Sequence, residues 1–253
     1  MTVEAQGTMG ADTETFDFPA AVGLTHLRVY DTAAPGGVTG GSPHVHLASA
    51  EAYIPIAGAG TVQTLSANGE ETFELRPGAI VWFEPGVIHR LVNDDGRLEL
   101  LVIMQNAGLP EAGDAVFTFA DHIMADELAY RDAASITGVS ENERITSALA
   151  RRDRAVEGFD ALRSAYRSGD SRPLHVFLER AGALKRSLVP HWASLVDAGP
   201  SRVTRETTRR LQELEHGSIS GLTQARVMGT TFDTRSTGIG MCGLLRAYVP
   251  HHS

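Results

Sequence analysis

The stretch that decides the reading is Ser42–Gly58, SPHVHLASAEAYIPIAG. It sets His44 and His46 one residue apart and places Glu51 five residues after the second. On a strand, alternate side chains share a face, so the two histidines point the same way. Glu51 opens the next apolar run and reaches the same place after a bend. His89 stands far along the chain, in PGAIVWFEPGVIHRLVN, where a neighbouring antiparallel strand brings it across. Three imidazoles and a carboxylate make a mixed nitrogen and oxygen donor set. Such a set suits divalent Fe, Mn, Ni, Co, Cu or Zn and leaves positions open on a metal that prefers six ligands. Burying these groups without an ion would cost on the order of several kcal/mol each. We therefore expect one divalent transition metal on His44, His46, Glu51 and His89.

The texture around these residues is that of short strands. From about Thr25 to Gln105 the runs THLRVYD, AYIPIAG, GTVQTLS, ETFELRPG, AIVWFEPG, IHRLVND and LELLVIMQN are apolar or alternating. Gly, Pro, Asn and Asp punctuate them about every ten residues, the rhythm of a β-sandwich or barrel. The Asn68-Gly69 pair signals a hairpin, and Gly58 and Gly60 mark a bend between strands. By the alternation, Tyr53 shares the face of Glu51. Gln63, Trp82, Met104 and Gln105 lie on strands that can line the same cavity.

The periodicity changes after Ser140. Ile145, Leu149, Val156, Phe159, Leu162 and Tyr166 recur at three to four residues and predict a long amphipathic helix. Leu174, Phe177, Leu178, Ala181, Leu184 and Leu188 predict a second. Ser201 starts a third that runs to Glu215 and stops at Gly217. GMCGLLRAYV, near the end, reads equally as strand or short helix. The expected organisation is a flexible arm over residues 1–15, a β domain over 16–120, and a helical region over 121–253 with a possible terminal strand.

At these residues the sequence resembles the cupin superfamily. One cupin motif runs H-x-H, three or four residues, E, six residues, G. It is met by His44, His46, Glu51 and Gly58. The other ends P-x-G-x-x-H-x-x-x-N and is met by Gly86, His89 and Asn93, with Gly78 as its leading glycine. Glu84 replaces the proline, and Pro85 follows it, which alters the turn but not the ligand spacing. The resemblance implies a mainly β fold, a jelly-roll barrel followed by a mostly α-helical C-terminal region. It also implies a metal-dependent enzyme on a small organic substrate and a homodimer. Within the family's range a dioxygenase-like oxidoreductase is favoured, because the predicted cavity is apolar and aromatic with few cations to hold a phosphate. A sugar isomerase, epimerase or lyase is the alternative, and a non-catalytic small-molecule-binding cupin is the rival class.

Composition narrows the field further. Hydrophobic residues make up 42% of the 253 and charged residues 21%, as in ordinary globular chains. No apolar run approaches the roughly 20 residues that span a bilayer. The opening MTVEAQGTMGADTETF is polar and acidic, unlike a secretory signal. Cys242 is the only cysteine, so no internal disulfide forms. A cytoplasmic protein is expected, with no membrane partner. The net charge of −9 sits in residues 1–110, which hold 13 acidic against 4 basic residues. Nucleic-acid binding needs a basic surface, so none is expected. SRVTRETTRRLQELEHG is basic in its first half but lacks the partner helix of a DNA-reading pair. The EAGD and RRDR runs read as solvated charge. His26, His122, His175, His191, His216, His251 and His252 read as surface residues.

Overall fold

The computed structural model describes residues 18–232 and 237–248. The expected arm over 1–15, and His251 and His252, lie outside the described residues. The strands are β1 (Gly23–Val29), β2 (His44–His46), β3 (Glu51–Ala57), β4 (Gly60–Ser66), β5 (Gly69–Leu75) and β6 (Val81–Phe83). They continue with β7 (Ile88–Asn93), β8 (Glu99–Met104), β9 (Ala115–Phe117), β10 (Gly238–Ile239) and β11 (Gly243–Tyr248). One antiparallel sheet has the order β10-β11-β1-β8-β3-β6, and the other has β5-β4-β7-β2-β9. The jelly roll is thus two facing sheets that do not close into a continuous barrel.

Alternation assigns the faces. Leu27, Val29, Tyr53, Leu100 and Val102 from the first sheet pack against Val62, Leu75 and Leu91 from the second, forming the core between them. The opposite face of the second sheet carries Val45, Leu65, Ile88 and Val116, all buried under helices, and Phe117 at the end of β9 joins the same cluster. This explains why every residue of β7 is buried: the strand is covered on both sides, as strands in layered α/β folds are.

The covering helices are α1 (Asp121–Met124), α2 (Glu127–Ala134), α3 (Glu141–Arg167), α4 (Arg172–Lys185), α5 (Val189–Val196), α6 (Arg202–Glu215) and α7 (Ser220–Thr223). α3 begins at a capping box in which Ser140 and Glu143 satisfy each other's backbone N–H groups. Phe159 of α3 and Leu174, Phe177 and Ala181 of α4 complete the second core. The GMCGLLRAYV stretch is a strand, β11, which pairs antiparallel with β1 from Leu24↔Tyr248 to Val29↔Gly243.

The charged run RRDR and the single residue His26 depart from expectation. In RRDR, Arg151 and Arg152 are buried rather than solvated. Arg152 donates to the carbonyls of Thr32 and Ala33 at 2.8 and 2.9 Å and pairs with Asp153 at 2.8 Å. Arg151 donates to the Gly240 carbonyl at 2.8 Å and lies over the Phe117 ring. The two side chains fix α3 to the loop after β1 and to the loop between β10 and β11, because each guanidinium has enough donors to bond several carbonyls. His26 is also buried and meets Glu99 at 2.8 Å.

Candidate metal centre

Strand register builds the centre. His44 pairs directly with His89 across β2 and β7, so both rings point into the space between the sheets. His46 shares their face from the end of β2. Glu51 comes from the facing sheet, where it pairs with Phe83 and with Met104. Gly58 ends β3 with φ of 72°, and a Cβ there would lie 2.3 Å from the Arg97 carbonyl oxygen. The motif glycine is thus required by a left-handed turn under a close backbone crossing.

The four ligating atoms lie within 4.8 Å of one another, and all four residues are buried. The Nε2 atoms of His44 and His89 are 3.1 Å apart. Glu51 Oε2 is 3.0 Å from His89 Nε2 and 3.4 Å from His46 Nε2. Ligands about 2.1 Å from one metal and at right angles to each other stand about 3 Å apart. The spacing therefore suits one ion.

Each ring is oriented from behind. His44 Nδ1 donates to the Ser42 carbonyl at 2.9 Å, and His89 Nδ1 to the Val87 carbonyl at 3.0 Å. His46 Nδ1 donates to Asp114 Oδ2 at 3.3 Å. With their Nδ1 hydrogens so engaged, the rings turn their Nε2 atoms toward one point. Glu51 Oε2 faces the Nε2 atoms of His89 and His46. Ring nitrogens converging on one buried carboxylate oxygen fit a cation, and imidazoles held by outward hydrogen bonds are the usual state of metal-bound histidine.

Electrostatics agree. Burial, followed by the neighbouring His89 and His46, holds His44 well below its ordinary pKa, so it stays neutral. Burial opposes charge on His46, but bonds to Asp114 and Glu51 outweigh it and raise the pKa to about 9 in the metal-free protein. Burial also opposes charge on Glu51, yet bonds from His46 and His89 hold its carboxyl well below the usual range. The centre is arranged around positive charge, which a metal supplies with less proton traffic.

Of the residues expected to line the cavity, Tyr53 and Met104 adjoin the centre. Tyr53 is fully buried, its hydroxyl lacks a partner, and burial together with Glu51 pushes its pKa well up. Gln63 lies on the outer face, where Arg163 donates to its amide oxygen at 3.3 Å. Trp82 is 69% exposed and points away from the sheets' interior. Its neighbour Phe83 takes the inward place, with its ring 4.1 Å from that of His89. Register sets this: Phe83 pairs with Glu51 and shares its inward face, while Trp82 pairs with Ala52 on the other face. Gln105 accepts from Ala50 N–H at an exposed position. Asn93 clamps a turn, donating to the Val29 carbonyl and accepting from Leu98 N–H. Cys242 Sγ lies 3.9 Å from His44 Nδ1, and burial raises its pKa so that it stays a thiol.

Asp114 was not foreseen. The EAGD run reads as solvated charge, yet Asp114 is fully buried behind His46. No motif spacing marks it, because its contact depends on a loop folding back over β2. Cavities of about 730 Å³ beside α6 and α7 and about 630 Å³ between α3 and α4 are lined by other residues.

Residues 29–104 match the model of the cupin domain family. This segment is a cupin domain. Among solved structures, the chain is similar to Drosophila melanogaster CENP-C bound to CAL1, at 17% identity over 32% of this chain and 61% of that one, with TM-score 0.26. It is also similar to WlaRA, a TDP-fucose-3,4-ketoisomerase from Campylobacter jejuni, at 13% identity over 37% of this chain and 64% of that one, with TM-score 0.30. QdtA, a sugar 3,4-ketoisomerase from Thermoanaerobacterium thermosaccharolyticum in complex with TDP, is 13% identical over 37% of this chain and 86% of that one, with TM-score 0.28. The chain thus spans less than two thirds of the CENP-C and WlaRA structures. No curated protein sequence matches it. No described helix is long and apolar enough to cross a membrane.

Proposed function

We propose that this cupin is a metalloenzyme of dioxygenase type acting on a small, uncharged or weakly charged organic molecule. The observation that carries the reading is the buried convergence of three imidazoles and the Glu51 carboxylate, with their ligating atoms within 4.8 Å of one another. A redox-active metal bound there would supply open positions and one-electron chemistry. The chain's own residues do the rest. His44, His46, His89 and Glu51 hold the ion. Phe83 and Met104 give the centre apolar walls that keep water out. Tyr53 brings one buried hydroxyl, free to donate a hydrogen bond to a ligand oxygen.

Access follows from burial. His89 is fully buried and His44 is 3% exposed, whereas His46 and Glu51 are each 7% exposed. Substrate is expected to enter on the His46 and Glu51 side, past the Leu47–Ala50 turn. The test is oxygen uptake by iron-loaded protein against a panel of small phenols, thiols and organic acids. Substrate-dependent uptake that His89→Ala abolishes supports the reading. Turnover of a sugar substrate without oxygen would replace it with isomerase chemistry, and saturable binding without turnover would leave a binding module.

A further inference from the structure

Asp114 ends the short helical segment Pro110–Asp114, and its carboxylate has no exposure. Oδ1 accepts the N–H groups of Leu47 and Ala48 at 2.9 and 2.8 Å. Oδ2 accepts Ser49 N–H at 3.1 Å and the Nδ1–H of His46 at 3.3 Å. One buried carboxylate thus folds the turn after β2 and fixes the ring of a candidate ligand. Four donors around an acceptor-only group leave His46 one suitable tautomer, with hydrogen on Nδ1 and the lone pair on Nε2.

The segment that carries Asp114 is held by the helical region. Trp192 of α5 donates its indole N–H to the Ala112 carbonyl at 3.1 Å. Leu188, just before α5, and Lys185 close on Gly113, where an added Cβ would meet each at 3.5 Å. Leu195 of α5 closes on Gly108 in the same way at 3.7 Å. A continuous chain of contacts therefore runs from α5 through Ala112 and Asp114 to His46.

We infer that Asp114 is a positioning residue for the metal centre and that α5, by seating the Pro110–Asp114 segment, gives the helical region a part in holding the metal. The inference rests on the metal-site reading and adds a role for residues outside the cupin segment. Asparagine at 114 keeps the shape and one acceptor oxygen. Its NH₂ group would face the N–H groups of Ser49 and His46, so donor meets donor. His46 would then move its hydrogen to Nε2, where it blocks coordination.

The experiment is chelator competition with Zn(II) and Co(II) on full-length wild type and Asp114→Asn, with far-UV circular dichroism as the check on folding. Folded Asp114→Asn is expected to bind about 10- to 100-fold more weakly, as for other groups that orient a metal-bound histidine. Trp192→Phe, which removes only the indole donor, is expected to weaken binding about two- to tenfold, the equivalent of one ordinary hydrogen bond. A folded Asp114→Asn with wild-type affinity overturns the inference. If that variant does not fold, nitrogen NMR of the Zn-loaded wild type decides. Hydrogen on His46 Nδ1 supports the inference, and hydrogen on Nε2 overturns it. Wild type that binds neither metal would instead overturn the metal-site reading itself.

Discussion

The Nε2 atoms of His44 and His89 stand 3.1 Å apart across two antiparallel strands, while the Nδ1 atom of each ring donates to a backbone carbonyl. Two lone pairs so placed repel unless a cation lies between them. Metal should therefore stabilise the fold, since the ion ties β2 and β7 to Glu51 on the opposite sheet. At a free metal concentration 100 times Kd the gain is about 2.7 kcal/mol, or roughly 5–10 °C in Tm for a chain of this size. Thermal unfolding with and without metal reads this directly, and His89→Ala should show no shift.

The metal-free protein should have a stability maximum between acid and alkaline pH. The Glu51 and Asp114 carboxyls are held below their ordinary values, so their contribution is full above the usual carboxylate range and is lost as pH falls through the depressed values. His46 is raised to about 9, so its contribution is full below 6.5 and is lost as pH climbs through 9. Metal-loaded protein should lose the alkaline decline, because His46 is then neutral and coordinated at both ends of that window. Urea midpoints from pH 3 to pH 10, with and without metal, test both arms.

Arg152 is a structural arginine. Its side chain is 2% exposed and donates to the Thr32 and Ala33 carbonyls, tying α3 to the loop after β1. Arg152→Ala should cost about 2–4 kcal/mol by urea unfolding, from the lost hydrogen bonds together with the packing lost around a buried side chain. An effect below about 0.5 kcal/mol, the range of an ordinary surface substitution, would contradict this placement.

Gly158 marks where α3 touches the chain after β9. A Cβ there would lie 1.9 Å from the Thr118 carbonyl oxygen. Because that neighbour is backbone, Gly158→Ala should lift the helix from the sheet and destabilise by about 1–3 kcal/mol, although alanine is the better helix former. Metal affinity should fall less than stability, since α3 does not touch the ligands.

The ligand set was legible because H-x-H on a strand and a glycine-punctuated return are local patterns, and His44, His46, Glu51 and His89 do converge. The cupin domain followed from the same residues. Asp114 was not legible, since its partners lie 65 to 68 residues away and nothing in EAGD distinguishes a buried acid from a solvated one. Arg151 and Arg152 misled for the same reason: their partners are carbonyls of distant loops. Trp82 misled by one residue of register, because alternation fixes which residues share a face but not which face is inside. β11 was undecidable from GMCGLLRAYV alone, because only its pairing with β1 selects strand over helix.

The most direct test of the central claim is the metal content of protein purified without affinity metal or chelator, beside a His46→Ala, His89→Ala double variant. The account predicts close to one transition-metal ion per chain in the wild type and almost none in the folded variant. A wild type that arrives empty and takes up no added Fe, Mn, Co, Ni, Cu or Zn would contradict it.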